Sequence, residues 1–155
     1  MRLELTLNGR TVSDEIEPQE LLLDYLRDRR GLTGAKRSCE VQVCGACTVL
    51  LNGEPVSACC TLAAEVDGRE VLTIEGLASS PEFERLERAF TEHAALQCGF
   101  CTPGILLTTR ALLDSGELAD ADGDAIRRAL AGNLCRCTGY RGIVEAVEDV
   151  AGAAR

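Results

Sequence analysis

The sequence predicts an α+β protein, with a small mixed sheet crossed by one helix over residues 1–76 and an all-α four-helix bundle over residues 77–155. Two observations predict it. Asn-Gly turns at Asn8-Gly9 and Asn52-Gly53 each lie between short strand-like segments, the signature of hairpins. At Gly76-Leu77-Ala78-Ser79-Ser80-Pro81 turn-forming residues collect, and the apolar period changes from two to 3.6.

Each element follows in order. Leu3, Leu5 and Leu7 share one face of a strand, and Arg10-Thr11-Val12 begins its return. Pro18 suits a first helical position and Gly31 a helix end, so the leucine-rich stretch Leu21 to Leu26 predicts a helix near 18–30. Thr48-Val49-Leu50-Leu51 and Pro55-Val56-Ser57-Ala58 form the second hairpin, and Val71-Leu72-Thr73-Ile74 a closing strand. Beyond the boundary, Phe83, Leu86 and Phe90 lie on one helical face. Ile105 to Leu113, Ala125 to Leu130 and Tyr140 to Val150 predict three more helices.

Composition excludes several classes. A hydrophobic share of 46% with 26% charged residues is that of a soluble globular chain, with no apolar run approaching a membrane span. A net charge of -9 argues against nucleic acid, whose phosphates demand Lys and Arg. The alternating start Met1 to Leu7 does not resemble a signal peptide, and Arg29-Arg30 lies too deep for a twin-arginine address, which points to the cytoplasm. Thiols there stay reduced, so nine cysteines read as metal ligands before disulfides.

Eight of the nine fall into two quartets. Cys39, Cys44, Cys47 and Cys59 are separated by four, two and eleven residues, and the first three match the plant-type ferredoxin spacing for a 2Fe-2S cluster. Such a core needs four converging thiolates, and Gly45-Ala46 keeps the loop small enough for backbone N–H groups to approach the sulfurs. If Cys59 and Cys60 continue a strand, only one can face that loop; Cys59 is taken as the ligand and Cys60 as a small buried apolar residue. The second quartet pairs Cys98 and Cys101 with Cys135 and Cys137, each pair just before a helix whose positive end favours an anionic cluster. Four cysteines in two short pairs also suit a structural zinc ion, and that alternative stays open on the second half alone.

With both quartets in place, the sequence resembles the iron-sulfur subunits of the molybdenum hydroxylases, the xanthine oxidase and aldehyde oxidoreductase family that includes aerobic carbon monoxide dehydrogenases. The motifs are Cys44-Gly45-Ala46-Cys47-Thr48-Val49, Gln97-Cys98-Gly99-Phe100-Cys101-Thr102-Pro103-Gly104 and Gly132-Asn133-Leu134-Cys135-Arg136-Cys137-Thr138-Gly139-Tyr140, and the match runs nearly end to end. The resemblance implies a β-grasp ferredoxin domain followed by a four-helix 2Fe-2S domain. It also implies a large subunit with a molybdopterin dinucleotide and a medium subunit with FAD, the two clusters relaying electrons singly between them. Gln97 and the Cys137 sulfur are the positions expected at the pterin; the plainer role for Gln97 is a buried amide bonding loop backbone. Many relatives carry glycine where this chain has Ser38 and Gln42, so the first loop is expected either to differ in backbone shape or to require positive φ at non-glycine residues. Cys60 stands where leucine is more usual.

Other residues carry less. His93, the single histidine, is expected at the surface or an interface, Arg136 and Arg141 flank the second quartet, and Asp114 to Asp124 reads as a solvated loop. No nucleophile-and-base arrangement appears, so no substrate chemistry is expected on this chain.

Overall fold

The computed structural model describes residues 1–152; the end of the expected second region, 153–155, lies outside the described residues. The fold is α+β, a mixed sheet with several helices. Strands β1 (Arg2–Leu7) and β2 (Arg10–Glu15) form the first hairpin, with Leu5 opposite Val12 and Leu7 opposite Arg10. Strands β3 (Thr48–Leu51) and β4 (Glu54–Ser57) form the second, and β5 (Glu70–Leu72) joins the two. The order is β2-β1-β5-β3-β4, with β5 parallel to β1 and antiparallel to β3.

The helix expected near 18–30 is shorter and wider than its sequence suggests. It consists of α1 (Leu22–Asp24), which runs straight into one π-helical turn at Tyr25–Arg29. The segment before it is held extended, because Leu21 bridges Leu62 and the Leu22 N–H bonds the Thr61 carbonyl. Pro18 therefore starts no helix. The end does fall at Gly31, whose φ of +68° lets the Leu32 N–H close on the Leu26 carbonyl. Leu22, Leu23, Tyr25 and Leu26 are buried against Leu3, Leu5 and Leu7, which fills the first core.

The closing strand also stops early. Asn8 receives the Thr73 N–H at 2.8 Å and donates to its hydroxyl at 3.0 Å, which ends the ladder and frees Ile74 to begin the short helix α2 (Ile74–Leu77). Helices α3 (Pro81–Glu92), α4 (Thr102–Asp114), α5 (Gly123–Ala129) and α6 (Arg141–Gly152) follow. The Asp122 side chain caps α5 through the Ala125 N–H. The second core lies among these helices, but Leu50 and Leu77 belong to it. Strand β3 is thus buried on both faces, Val49 and Leu51 toward the first core and Leu50 toward the second, which is why its four residues show no polar alternation. Among the described residues no helix is long and apolar enough to cross a membrane.

Candidate metal centres

The first quartet is built by the loop between the π turn and β3, together with the chain leaving β4. Arg37 pins that loop, bonding Glu40 at 2.6 Å and also Asp24. Glu40, Gln42 and Gly45 have φ of +57°, +58° and +67°, turning successive N–H groups inward as in an anion-binding nest. Of the two alternatives, positive φ is found at Gln42, and also at Glu40 rather than Ser38. The Val43 and Cys44 N–H groups each reach the Cys39 sulfur at 3.4 Å. The backbone N–H of Val41, then those of Val43 and Cys44, bring the half-buried Cys39 thiol down to about 6. A group so held is ready to ligate as thiolate.

The sulfurs meet in pairs. Cys39 lies beside Cys44, and Cys47 beside Cys59. Cys47 and Cys59 are buried at 3% and 5% exposure, and burial, followed by the Cys59 contact, pushes the Cys47 thiol up to about 12. As a bare thiol Cys47 would stay neutral, so a cation must supply the drive to deprotonate it.

The expected geometry of Cys59 and Cys60 is overturned. They lie not on a strand but in a 3-10 turn at Ala58–Cys60, entered when β4 ends at Ser57. Three residues per turn rotate neighbours by about 120° instead of 180°, so both side chains reach the same side. Cys59 faces inward to Cys47, whereas Cys60 is exposed rather than buried, with its sulfur 3.6 Å from that of Cys59.

The second quartet spans two loops. Cys98 and Cys101 precede α4, with Cys101 at its N-cap, and Cys135 and Cys137 precede α6. The close pairs run across the loops: Cys98 with Cys137 at 3.6 Å between sulfurs, and Cys101 with Cys135. Burial, then Cys135, pushes Cys101 up to about 12. Burial also acts to raise Cys135, but Thr138, through its hydroxyl at 3.1 Å and its N–H at 3.5 Å, leads the contacts that leave it lowered. Gln97 is exposed, and its amide donates to the Cys137 carbonyl at 3.2 Å, so it bonds loop backbone without being buried.

Three contributors had no assigned role in the sequence. The Tyr140 hydroxyl donates to the Asn133 carbonyl and accepts from the Cys135 N–H, both at 2.8 Å, clamping the second loop. Thr138 is the sulfur donor just described. Asn133, 5% exposed, donates to the Gly45 carbonyl at 3.2 Å and to Thr48 at 3.3 Å, while the Leu134 N–H bonds the Cys44 carbonyl at 2.8 Å. The two ligand loops therefore touch. A Cβ on Gly104 would collide with the Gly45 carbonyl, and one on Gly45 with the Gly132 carbonyl, so glycine is what permits the contact. All three residues sit in or beside motifs already quoted, and that proximity is the signal that could have found them.

Among the described residues no three His, Cys, Asp or Glu side chains converge closely enough to hold a single ion. In each quartet the neighbouring sulfurs form two pairs, an arrangement that suits a core with two irons, one pair to each. His93 ends α3 with its ring facing Asp149 at 3.4 Å and Glu145 at 4.0 Å, and Arg141 pairs with Glu145 at 2.9 Å.

Two family models match the chain. One is described as "[2Fe-2S] binding domain" and matches residues 73–148; the other is described as "2Fe-2S iron-sulfur cluster binding domain" and matches residues 15–85. Among curated relatives, the nicotinate dehydrogenase small FeS subunit of Eubacterium barkeri is 47% identical over 145 residues, covering 94% of this chain and 91% of that one. The 6-hydroxypseudooxynicotine dehydrogenase complex subunit beta of Paenarthrobacter nicotinovorans is 45% identical over 148 residues, 96% of this chain and 92% of that one. Among solved structures, a chain of quinoline 2-oxidoreductase from Pseudomonas putida 86 superposes with a TM-score of 0.92 at 45% identity, over 100% of this chain and 96% of that one.

Proposed function

Since the chain belongs to the iron-sulfur subunits of the molybdenum hydroxylase family, we propose that it relays electrons one at a time from a molybdopterin dinucleotide on a large subunit to FAD on a medium subunit. Cys39, Cys44, Cys47 and Cys59 would hold one 2Fe-2S cluster in a β-grasp domain of residues 1–76, and Cys98, Cys101, Cys135 and Cys137 the other in a four-helix domain of residues 77–155. When bound, each cluster supplies a centre that accepts and gives up one electron. The reading is carried by the sulfur geometry, two close pairs in each quartet.

The chain's own residues divide the remaining work. Backbone N–H groups at Cys39 and the Thr138 donors at Cys135 compensate thiolate charge. The bond from Leu134 to Cys44 and the buried Asn133 amide fix the two ligand loops against each other, so that the sites keep one separation. Leu96, Phe100 and Leu134 expose 44–50% of their area beside the second quartet, a surface suited to a large subunit. Gln97 and Cys137, both exposed there, are assigned to the pterin. Val41 and Val43 expose 65% and 57% beside the first quartet, which we assign to the flavin side. The chain is taken to work in the cytoplasm, and it brings no substrate chemistry of its own.

Purification of the native complex tests this reading. Co-isolation of a molybdenum polypeptide and a flavin polypeptide is expected. A chain that runs alone, with neither, would replace the subunit assignment by that of a free-standing ferredoxin.

A further inference from the structure

The first site has a fifth sulfur. Cys60 lies 3.6 Å from Cys59 between their sulfurs, is close to Cys39, and has the Glu40 carbonyl at 3.8 Å. Resting on the reading that Cys59 is a ligand, we infer that Cys60 donates an S–H···S hydrogen bond to the Cys59 sulfur and thereby holds the first cluster at a higher reduction potential than it would otherwise have.

The direction of that bond follows from counting protons. A ligating sulfur is a thiolate and has none to give. Among the described residues the Cys59 sulfur is in hydrogen-bonding range of the Cys60 sulfur and lies beside Cys47, which is itself assigned as a ligand. Only Cys60 can donate. Its single S–H has two acceptors within reach, but the Glu40 carbonyl is neutral and lies farther off, whereas a charged acceptor makes the stronger bond. The backbone N–H of Gln42 lies beside the Cys60 sulfur and polarises it, so the two contacts reinforce each other.

The consequence for potential is electrostatic. Reduction adds one negative charge to the cluster, and a donor aimed at a ligand sulfur stabilises the more negative state. The 3-10 turn is what creates this arrangement, since strand geometry would send Cys60 to the opposite face from Cys59. Cys60 touches no iron in this account. It acts through Cys59 as a positioning residue.

Two substitutions separate the donor from the bulk. Cys60→Val fills the side-chain space, being somewhat bulkier than cysteine, and removes the S–H; Cys60→Ser keeps an O–H donor. Redox titration of the purified complex, followed by electron paramagnetic resonance, reads both clusters in one sample. The expected result is a negative shift of the first-cluster midpoint in Cys60→Val and recovery toward the wild-type value in Cys60→Ser. The second-cluster midpoint should stay constant throughout. An unshifted first midpoint in Cys60→Val overturns the inference while leaving Cys59 as ligand, and so does a Cys60→Ser midpoint as low as that of the valine variant. Loss of the first signal with half of the iron in Cys60→Val would make Cys60 a ligand, overturning the inference together with the choice of Cys59.

Discussion

At the scale of single residues, the cysteines are legible because ligation demands a spacing, and their neighbours are not, because a supporting hydrogen bond demands only a place in space. The quartets were read from intervals along the chain, whereas Thr138 and Tyr140 act through contacts that a linear pattern does not encode. Cys60 failed for a further reason: its burial depended on strand continuation, and β4 ends three residues before it. Replacing Cys137 with Ser is expected to remove or strongly alter the second cluster signal, with loss of about half the iron, while the first signal persists. An unchanged spectrum would remove Cys137 from the ligand set. Tyr25, fully buried, donates to Asp14 at 2.6 Å, and burial followed by that carboxylate raises its pKa well above the ordinary tyrosine value. A raised folded-state pKa means that the contribution is complete below about 10, the unfolded tyrosine value, and is lost as pH climbs beyond it. Tyr25→Phe should therefore cost about 0.5–1.5 kcal/mol at neutral pH by denaturant titration. The difference from wild type should narrow above pH ~10.

At the scale of elements, the hairpins emerged at their Asn-Gly turns and the four longer helices near their expected places, since turn chemistry and apolar period are local properties. The late start of α1 at Leu22 and the early end of β5 were not legible, because each is set by a distant partner, Thr61 in one case and Asn8 in the other. The junction of the ligand loops is of the same kind, joining residues 88 apart through the Asn133 amide and the Gly45 carbonyl. Truncating Asn133 to Ala removes a buried donor shared by Gly45 and Thr48, for an expected cost of about 1–3 kcal/mol. Thermal bleaching of the cluster absorbance should then shift down by ~2–4 °C for each kcal/mol, with both clusters still assembled at low temperature. Equal bleaching midpoints in variant and wild type would show that the junction does not stabilise the loops.

At the scale of the whole molecule, the expected separation into a sheet region and a helical region captures the order of elements but not their packing. Leu50, with Leu72 and Ile74 packed beside it, carries the second core across the line drawn at residue 76, and β3 is shared by both cores. Two touching ligand loops, with exposed apolar residues beside each quartet, suit the two-site relay proposed between partner subunits. The central claim is that both quartets hold two-iron clusters. Metal analysis of the purified complex combined with electron paramagnetic resonance after dithionite reduction tests it most directly. The account predicts about four irons for each copy of this chain and two distinct one-electron signals. About two irons with one zinc, and a single signal, would contradict it.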